Sequence, residues 1–172
     1  MPDTVKRLKR SALIHFLQTA FLATILTPQS WYKVGKDVQD LSINLNPDIE
    51  QFKNILDESR ANDNGYQPDA DVDTYFADPS DGAWYERVKD IAMNRKTGDD
   101  CMTVLLEVLV DKTSGPYDAW AETVMIKPQS YGGAPGGVRI PYKILYCGGR
   151  KKGTVTFDSE TGAPTFTETA AV

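Results

Sequence analysis

The strongest signal along the chain is an alternation of apolar and polar positions that returns in segment after segment. Val138, Ile140, Tyr142, Ile144 and Tyr146 fall on one side of an extended backbone, with Arg139, Pro141, Lys143, Leu145 and Cys147 on the other. Successive side chains of a strand point to opposite faces, so this period of two predicts a long amphipathic strand. Met102, Val104, Leu106, Val108 and Val110 alternate with Thr103, Leu105, Glu107, Leu109 and Asp111. Both sets are mostly apolar, which predicts a central strand covered on both faces. Ser114-Gly115-Pro116 turns it into an antiparallel neighbour from Tyr117 to Lys127. Shorter strands are expected at Trp31 to Val34, Leu41 to Leu45, Ile49 to Leu56, Asp69 to Ala77, Thr154 to Phe157 and Thr165 to Thr167.

One stretch changes period. Trp84, Val88, Ile91 and Ala92 stand at i, i+4, i+7 and i+8 and make a single apolar stripe. Asp78-Pro79 before it supplies a cap and a proline at the first turn, while Arg95, Lys96 and Gly98 close it as the helix dipole favours. The expectation is one long helix, about 78–96. Trp84 on that stripe reads as core in preference to a ligand platform. At the other end of the chain, Val5, Leu8, Ala12 and Phe16 have helical spacing, widened by Leu13, Ile14 and Leu17. This predicts an amphipathic N-terminal arm over 1–30 whose apolar side needs a partner surface. The basic and then apolar run from Lys6 to Leu26 imitates a secretory signal, but His15, Gln18 and Thr19 interrupt it, so it is read as part of the mature protein, with a cleaved signal as the competing reading. Asp57 to Asp69, including Glu58, Arg60, Asn64 and Gly65, is polar and rich in turn residues, and is either a hairpin tip or a long surface loop. Residues 168–172 form a weakly patterned tail.

Composition narrows the function classes. The 172 residues are 41% hydrophobic and 25% charged, ordinary for one globular domain. The net charge of −5 is unevenly spread: residues 57–81 hold eight of the 24 acidic groups and one basic group. A chain built to hold nucleic acid needs a basic stripe to neutralise phosphates, and none is present. Cys101 and Cys147 have no zinc or redox spacing and read as small buried hydrophobes. His15 is the one histidine and has no recognisable nucleophile partner. Asp69, Asp71 and Asp73 alternate in a way that invites a calcium loop, but Thr74 and Ser80 stand where the glycine and bidentate glutamate belong. The glycines between Gly132 and Gly137 lead into a strand, whereas phosphate loops lead into a helix. No catalytic residue, metal ligand or cofactor is nominated, and an enzyme is not expected.

Ser130-Tyr131-Gly132-Gly133, then Gly136-Gly137, the alternating strand through Tyr146, and Gly149 with Gly153-Thr154 form an ordered pattern. It resembles the C-terminal signature of major tail tube proteins of long-tailed bacteriophages and prophages. Lys9 to Phe16, Tyr32 to Val38 and Leu45-Asn46-Pro47 are similar to the matching N-terminal pattern, so the resemblance spans nearly the whole chain. It implies a mainly β (α+β) subunit over 1–172, a sandwich or barrel with one flanking helix, an extended N-terminal arm and a long loop at 57–69. It further implies self-assembly into stacked rings, usually hexameric, that form a hollow conduit for DNA in the virion tail, assembled in the host bacterial cytoplasm without membrane binding. Partners would be further copies of itself, the tail tip or baseplate, the tape measure and the terminator. In that picture the loop carrying Asp57, Glu58, Arg60, Asn64 and Gly65 reaches an adjacent ring, and Glu50, Asp71 and Asp73 are candidates for an acidic lumen that repels phosphate. A tail terminator or another ring-forming virion protein is an alternative within the same particle. A monomeric β-sandwich binding module using Trp31, Trp120 and Tyr131 is the alternative outside it.

Overall fold

A computed structural model describes residues 7–21 and 30–170. Its strands are β1 (Leu13–Gln18), β2 (Trp31–Val34), β3 (Ile43–Asn44), β4 (Pro47–Lys53), β5 (Ser59–Tyr66), β6 (Asp69–Val72), β7 (Met102–Leu109), β8 (Tyr117–Pro128), β9 (Tyr142–Tyr146), β10 (Lys151–Phe157) and β11 (Pro164–Glu168). Helix α1 (Ala83–Asn94) lies between β6 and β7. Nine strands form one antiparallel sheet in the order β2-β1-β7-β8-β9-β6-β3, to which β10 and β11 attach, and β4 and β5 make a separate hairpin.

The organising element is β8. One edge pairs with β7 along most of its length, from Leu109↔Asp118 to Met102↔Met125. Its other edge is shared: Tyr117 to Ala121 pair with β10, and Val124 to Pro128 pair with β9. The sheet therefore forks at Glu122-Thr123, where the Cys147 amide donates to the Thr123 carbonyl at 2.8 Å.

Two cores follow from the alternation in β7 and β8. On one face Leu17, Leu105, Val124, Ile126 and Ile144 pack against Trp84, Val88, Ile91 and Ala92, the buried residues of α1. Tyr32 stacks on Trp84 with ring centroids 5.2 Å apart, and Tyr142 meets Trp84 edge-on at 5.7 Å. On the opposite face Phe16, Leu106, Val108 and Ala119 pack with Val155, with Phe157 and Phe166 against them. This second layer lies close because residue 153 is glycine: a Cβ there would stand 2.2 Å from the Thr167 carbonyl and 2.6 Å from the Phe166 ring.

Several sequence expectations are corrected. Residues 13–18 of the expected helical arm are a strand, hydrogen-bonded to β2 on one side and β7 on the other, so the chain's own sheet covers their apolar side. Val5 and the remainder of the proposed arm at 1–6 and 22–29 lie outside the described residues, as do 171–172 of the tail. Of the two readings of 57–69, the hairpin holds and the long loop does not: most of the segment is β5, the second strand of the hairpin. Asp78 caps a 3-10 turn, accepting from the Ser80 amide at 2.9 Å, and α1 begins only after Gly82, whose φ of 62° interrupts the helical path. The strand expected over 138–147 is shortened to β9 by Pro141, which has no amide for a ladder. The strand expected to run from Asp69 to Ala77 ends at Val72. Cys101 is buried, but Cys147 sits exposed in the corner after β9.

Candidate assembly surfaces

The most conspicuous surface is the β4–β5 hairpin. Its turn is built by Asn54, whose Oδ1 accepts from the amides of Leu56 at 2.9 Å and Glu58 at 3.0 Å. Asp57 completes the reversal in the left-handed region at φ 63°. At the base, the Asn46 side chain donates to the Gln67 carbonyl at 3.0 Å, so the hairpin continues outward from the β3–β6 edge of the main sheet. Seven residues of strand carry it about 23 Å outward. Every residue of β4 is exposed, and so is every residue of β5 except Gly65. The exposed side chains include Ile49 and Phe52 at 53%, Leu56 at 72% and Ile55 at 102%. A two-stranded ribbon with no layer behind it is marginal in water. Apolar side chains displayed along such a ribbon mark a contact surface.

Glu50 lies on this hairpin opposite Asn62, whereas Asp71 pairs with Lys143 in the β6–β9 ladder, and Asp73 follows the end of β6. All three are exposed, Glu50 and Asp71 on separate sheets and Asp73 beyond the end of its strand. Lys143 lies 3.1 Å from Asp69 and 3.9 Å from Asp71, so a cation is set within the acidic row. Hydrogen bonds from Asn44 and Lys143 hold the Asp69 carboxyl below the usual carboxylate range.

The glycine corner is a tight reversal closed by mutual Gly132–Arg139 backbone bonds of 3.2 and 2.6 Å. Gly133 has φ 147°, and a Cβ there would stand 2.4 Å from the Gly137 carbonyl. Gly137 rests on the Phe76 ring, and the Arg139 guanidinium lies 5.2 Å from that ring's centroid. Ser130 and Tyr131 are exposed beside the corner, and nothing stands within 4 Å of a Cβ at Gly136.

Sequence reasoning missed a polar cluster on the helix-side face, in which His15, Glu107 and Glu122 are buried and Arg150 is partly exposed. Arg150, from the corner between β9 and β10, bonds Glu107 of β7 at 2.5 Å and Glu122 of β8 at 3.0 Å. Its guanidinium also lies 5.8 Å from the Trp120 ring centroid. Tyr146 donates to Glu107 at 2.8 Å, and its hydroxyl is pushed to higher pKa by burial and by Glu107. His15 stands directly across from Glu107 in the β1–β7 register, its Nε2 3.7 Å from Glu107 Oε1. Burial lowers the pKa of its ring, partly opposed by Glu107. The available signal was two glutamates inside strands otherwise rich in apolar residues, since buried acids require a cation. The cluster ties together the strands that diverge at the fork. Among the described residues no group of three or more His, Cys, Asp or Glu side chains could hold a metal ion.

A groove of about 370 Å³ lies where β1 and β2 meet the segment after β2, with Leu13, Val34, Val38 and Leu41 among its lining residues. Arg10 also lines it, held by hydrogen bonds to the carbonyls of Leu13 at 2.6 Å and Leu41 at 2.9 Å.

No protein-family model and no curated protein sequence matches the chain. A solved structure does: the cap of an anti-feeding prophage, described as its tube terminating cap and determined by cryo-electron microscopy, with a TM-score of 0.50. The match covers 90% of this chain and 99% of the cap chain at 11% sequence identity. The likeness is one of fold, and in this chain that fold is a mainly antiparallel β sheet with, among the described residues, one flanking α-helix.

Proposed function

We propose that this chain is a ring-forming structural subunit of a phage-tail-type particle, with the tail tube as its place: copies close into rings, and the rings stack into a hollow conduit for DNA. The observation that carries the reading is the β4–β5 hairpin, a ribbon without a core that displays Ile49, Phe52, Ile55 and Leu56 to solvent. A monomer gains nothing from such a feature, whereas a subunit that contacts a neighbour covers it. The tube-capping fold supports this, as does the tail-tube resemblance in the sequence. Glu50, Asp71 and Asp73 remain the lumen candidates, with Lys143 tempering the charge beside Asp71. The partners in this reading are further copies of the chain and the tip, tape-measure and terminator components of the same particle.

The fold match itself favours a second reading, a terminator that forms one ring at the end of a tube. Sedimentation velocity across a concentration series tests the common ground: both readings require discrete oligomers. The tube reading additionally requires open-ended growth. A single monomeric species at all concentrations contradicts both and returns the binding-module alternative.

A further inference from the structure

The second strand of the hairpin carries a bulge. Pro47 pairs with Tyr66 and Ile49 with Asp63, so the single residue Asp48 faces both Asn64 and Gly65, and neither of these has a register partner of its own. Asn64-Gly65 is the one asparagine–glycine pair in the sequence. Gly65 holds φ at 95°, and nothing stands within 4 Å of a Cβ built on it, so the space beside this peptide is open. Two contacts frame it. The Gly65 amide donates to Asp63 Oδ1 at 2.9 Å, and the Asn62 side-chain amide donates to Asn64 Oδ1 at 2.9 Å. A carboxylate thus touches the proton of the Gly65 nitrogen, and a donor touches the oxygen of the side-chain carbonyl next to it. Asn64 is exposed, and its Nδ2 has no hydrogen-bond partner among the described residues.

We infer that Asn64 is a self-modification site, where the Gly65 nitrogen closes on the Asn64 side chain with Asp63 as base and Asn62 as oxyanion donor. Asp63 accepts the proton from Gly65 N, and the freed electron pair forms a bond to Asn64 Cγ while charge gathers on Oδ1 against the Asn62 amide. The Cγ–Nδ2 bond then breaks, and Nδ2 leaves as ammonia with the proton that Asp63 returns. Water opens the resulting succinimide at either carbonyl, giving aspartate or isoaspartate at position 64. The unpaired bulge leaves the backbone room to turn Gly65 N toward Cγ. Either product adds a carboxylate beside Asp63, and isoaspartate lengthens the β5 backbone by one carbon. The aspartate–glycine pair Asp81-Gly82 lacks this freedom, because Asp81 accepts from the Tyr75 hydroxyl at 3.1 Å and faces the Lys36 ammonium at 3.9 Å. Nothing in this chemistry requires assembly, so its failure leaves the tube and terminator readings untouched.

The test follows the full-length protein in mildly alkaline buffer at physiological temperature, sampled over time by peptide mapping with mass spectrometry. Isoaspartate is measured with protein isoaspartate methyltransferase. Asn64 is expected to convert to aspartate and isoaspartate about tenfold faster or more than any other asparagine of the chain. Asp63→Asn keeps a side-chain acceptor for the Gly65 amide but removes the base, and is expected to slow conversion about tenfold or more. Asn64→Gln must close a larger ring and is expected to leave no isoaspartate at 64. Each variant is first checked for an unchanged circular dichroism spectrum. Conversion of Asn64 no faster than that of the other asparagines, or slower in the folded chain than in urea, overturns the site. A folded Asp63→Asn variant that converts at the wild-type rate overturns the role of Asp63, and aspartate formed without isoaspartate overturns the cyclic route.

Discussion

Arg150→Ala is the substitution that most directly probes how the fork in the sheet is held. The guanidinium reaches Glu107 at 2.5 Å and Glu122 at 3.0 Å, and both glutamate side chains are 9% exposed. Without it, two acids on adjacent strands face one another, with the Tyr146 hydroxyl left as the hydrogen-bond donor to Glu107. Breaking a buried ion pair from one side costs about 3–5 kcal/mol. The Arg150 side chain is 43% exposed, so water enters the vacated site and the expected loss lies near the lower bound, about 3 kcal/mol. Loss of the Trp120 contact adds less than about 1 kcal/mol. For a chain of this length the total corresponds to a fall in Tm of about 6–16 °C. The assay is urea unfolding followed by tryptophan fluorescence, at a concentration below assembly. Arg150→Lys keeps a charge but loses the two-armed geometry, and is expected to fall between wild type and alanine. Adding Glu107→Gln to Arg150→Ala should recover part of the loss, because one of the unpaired acids is then neutral. A loss under about 0.5 kcal/mol for Arg150→Ala refutes the view that this arginine holds the fork.

Other consequences concern the two cores and the one histidine. His15 has a folded pKa below its ordinary 6.5 because burial disfavours the charged ring. The unfolded chain therefore binds the proton first, and stability present above about pH 6.5 declines as pH falls, by up to about 1.4 kcal/mol per pH unit for this group. His15→Gln should flatten that part of the pH–stability curve, and an unchanged slope would count against it. Gly153→Ala places a Cβ against the Thr167 carbonyl and the Phe166 ring, and should cost about 1–3 kcal/mol with loss of amide protection in β10 and β11. Trp84→Ala, at a fully buried position joining α1 to the sheet, should cost about 3–5 kcal/mol by urea unfolding.

What the sequence makes legible is what local periodicity encodes. β7 and β8 stand out because one face meets α1 and the other meets the β10–β11 layer, so both of their alternating sets carry apolar residues. The α1 stripe is equally plain, with Trp84, Val88, Ile91 and Ala92 its buried residues. β1 is illegible for a complementary reason. Its residues fit helical and extended spacing alike, and pairing with β7, some ninety residues away in the chain, decides between them. The hairpin hides its second strand because Ser59 to Tyr66 cover nothing, and a strand without a buried face leaves no alternation to read. The Arg150 cluster draws its members from five places in the chain, and only the unexpected acids at positions 107 and 122 announce it. Asp71 and Glu50 look alike as exposed acids in alternating strands, yet they lie on different sheets, a difference carried by topology alone.

The central claim is that this chain is an assembling subunit, and its most direct test is negative-stain electron microscopy of the full-length protein across a concentration series. The account predicts hollow rings at moderate concentration and, for a tube subunit, stacked tubes with a regular axial repeat at high concentration; rings that never stack select the terminator. Dispersed monomers at every concentration, with the hairpin intact, contradict it.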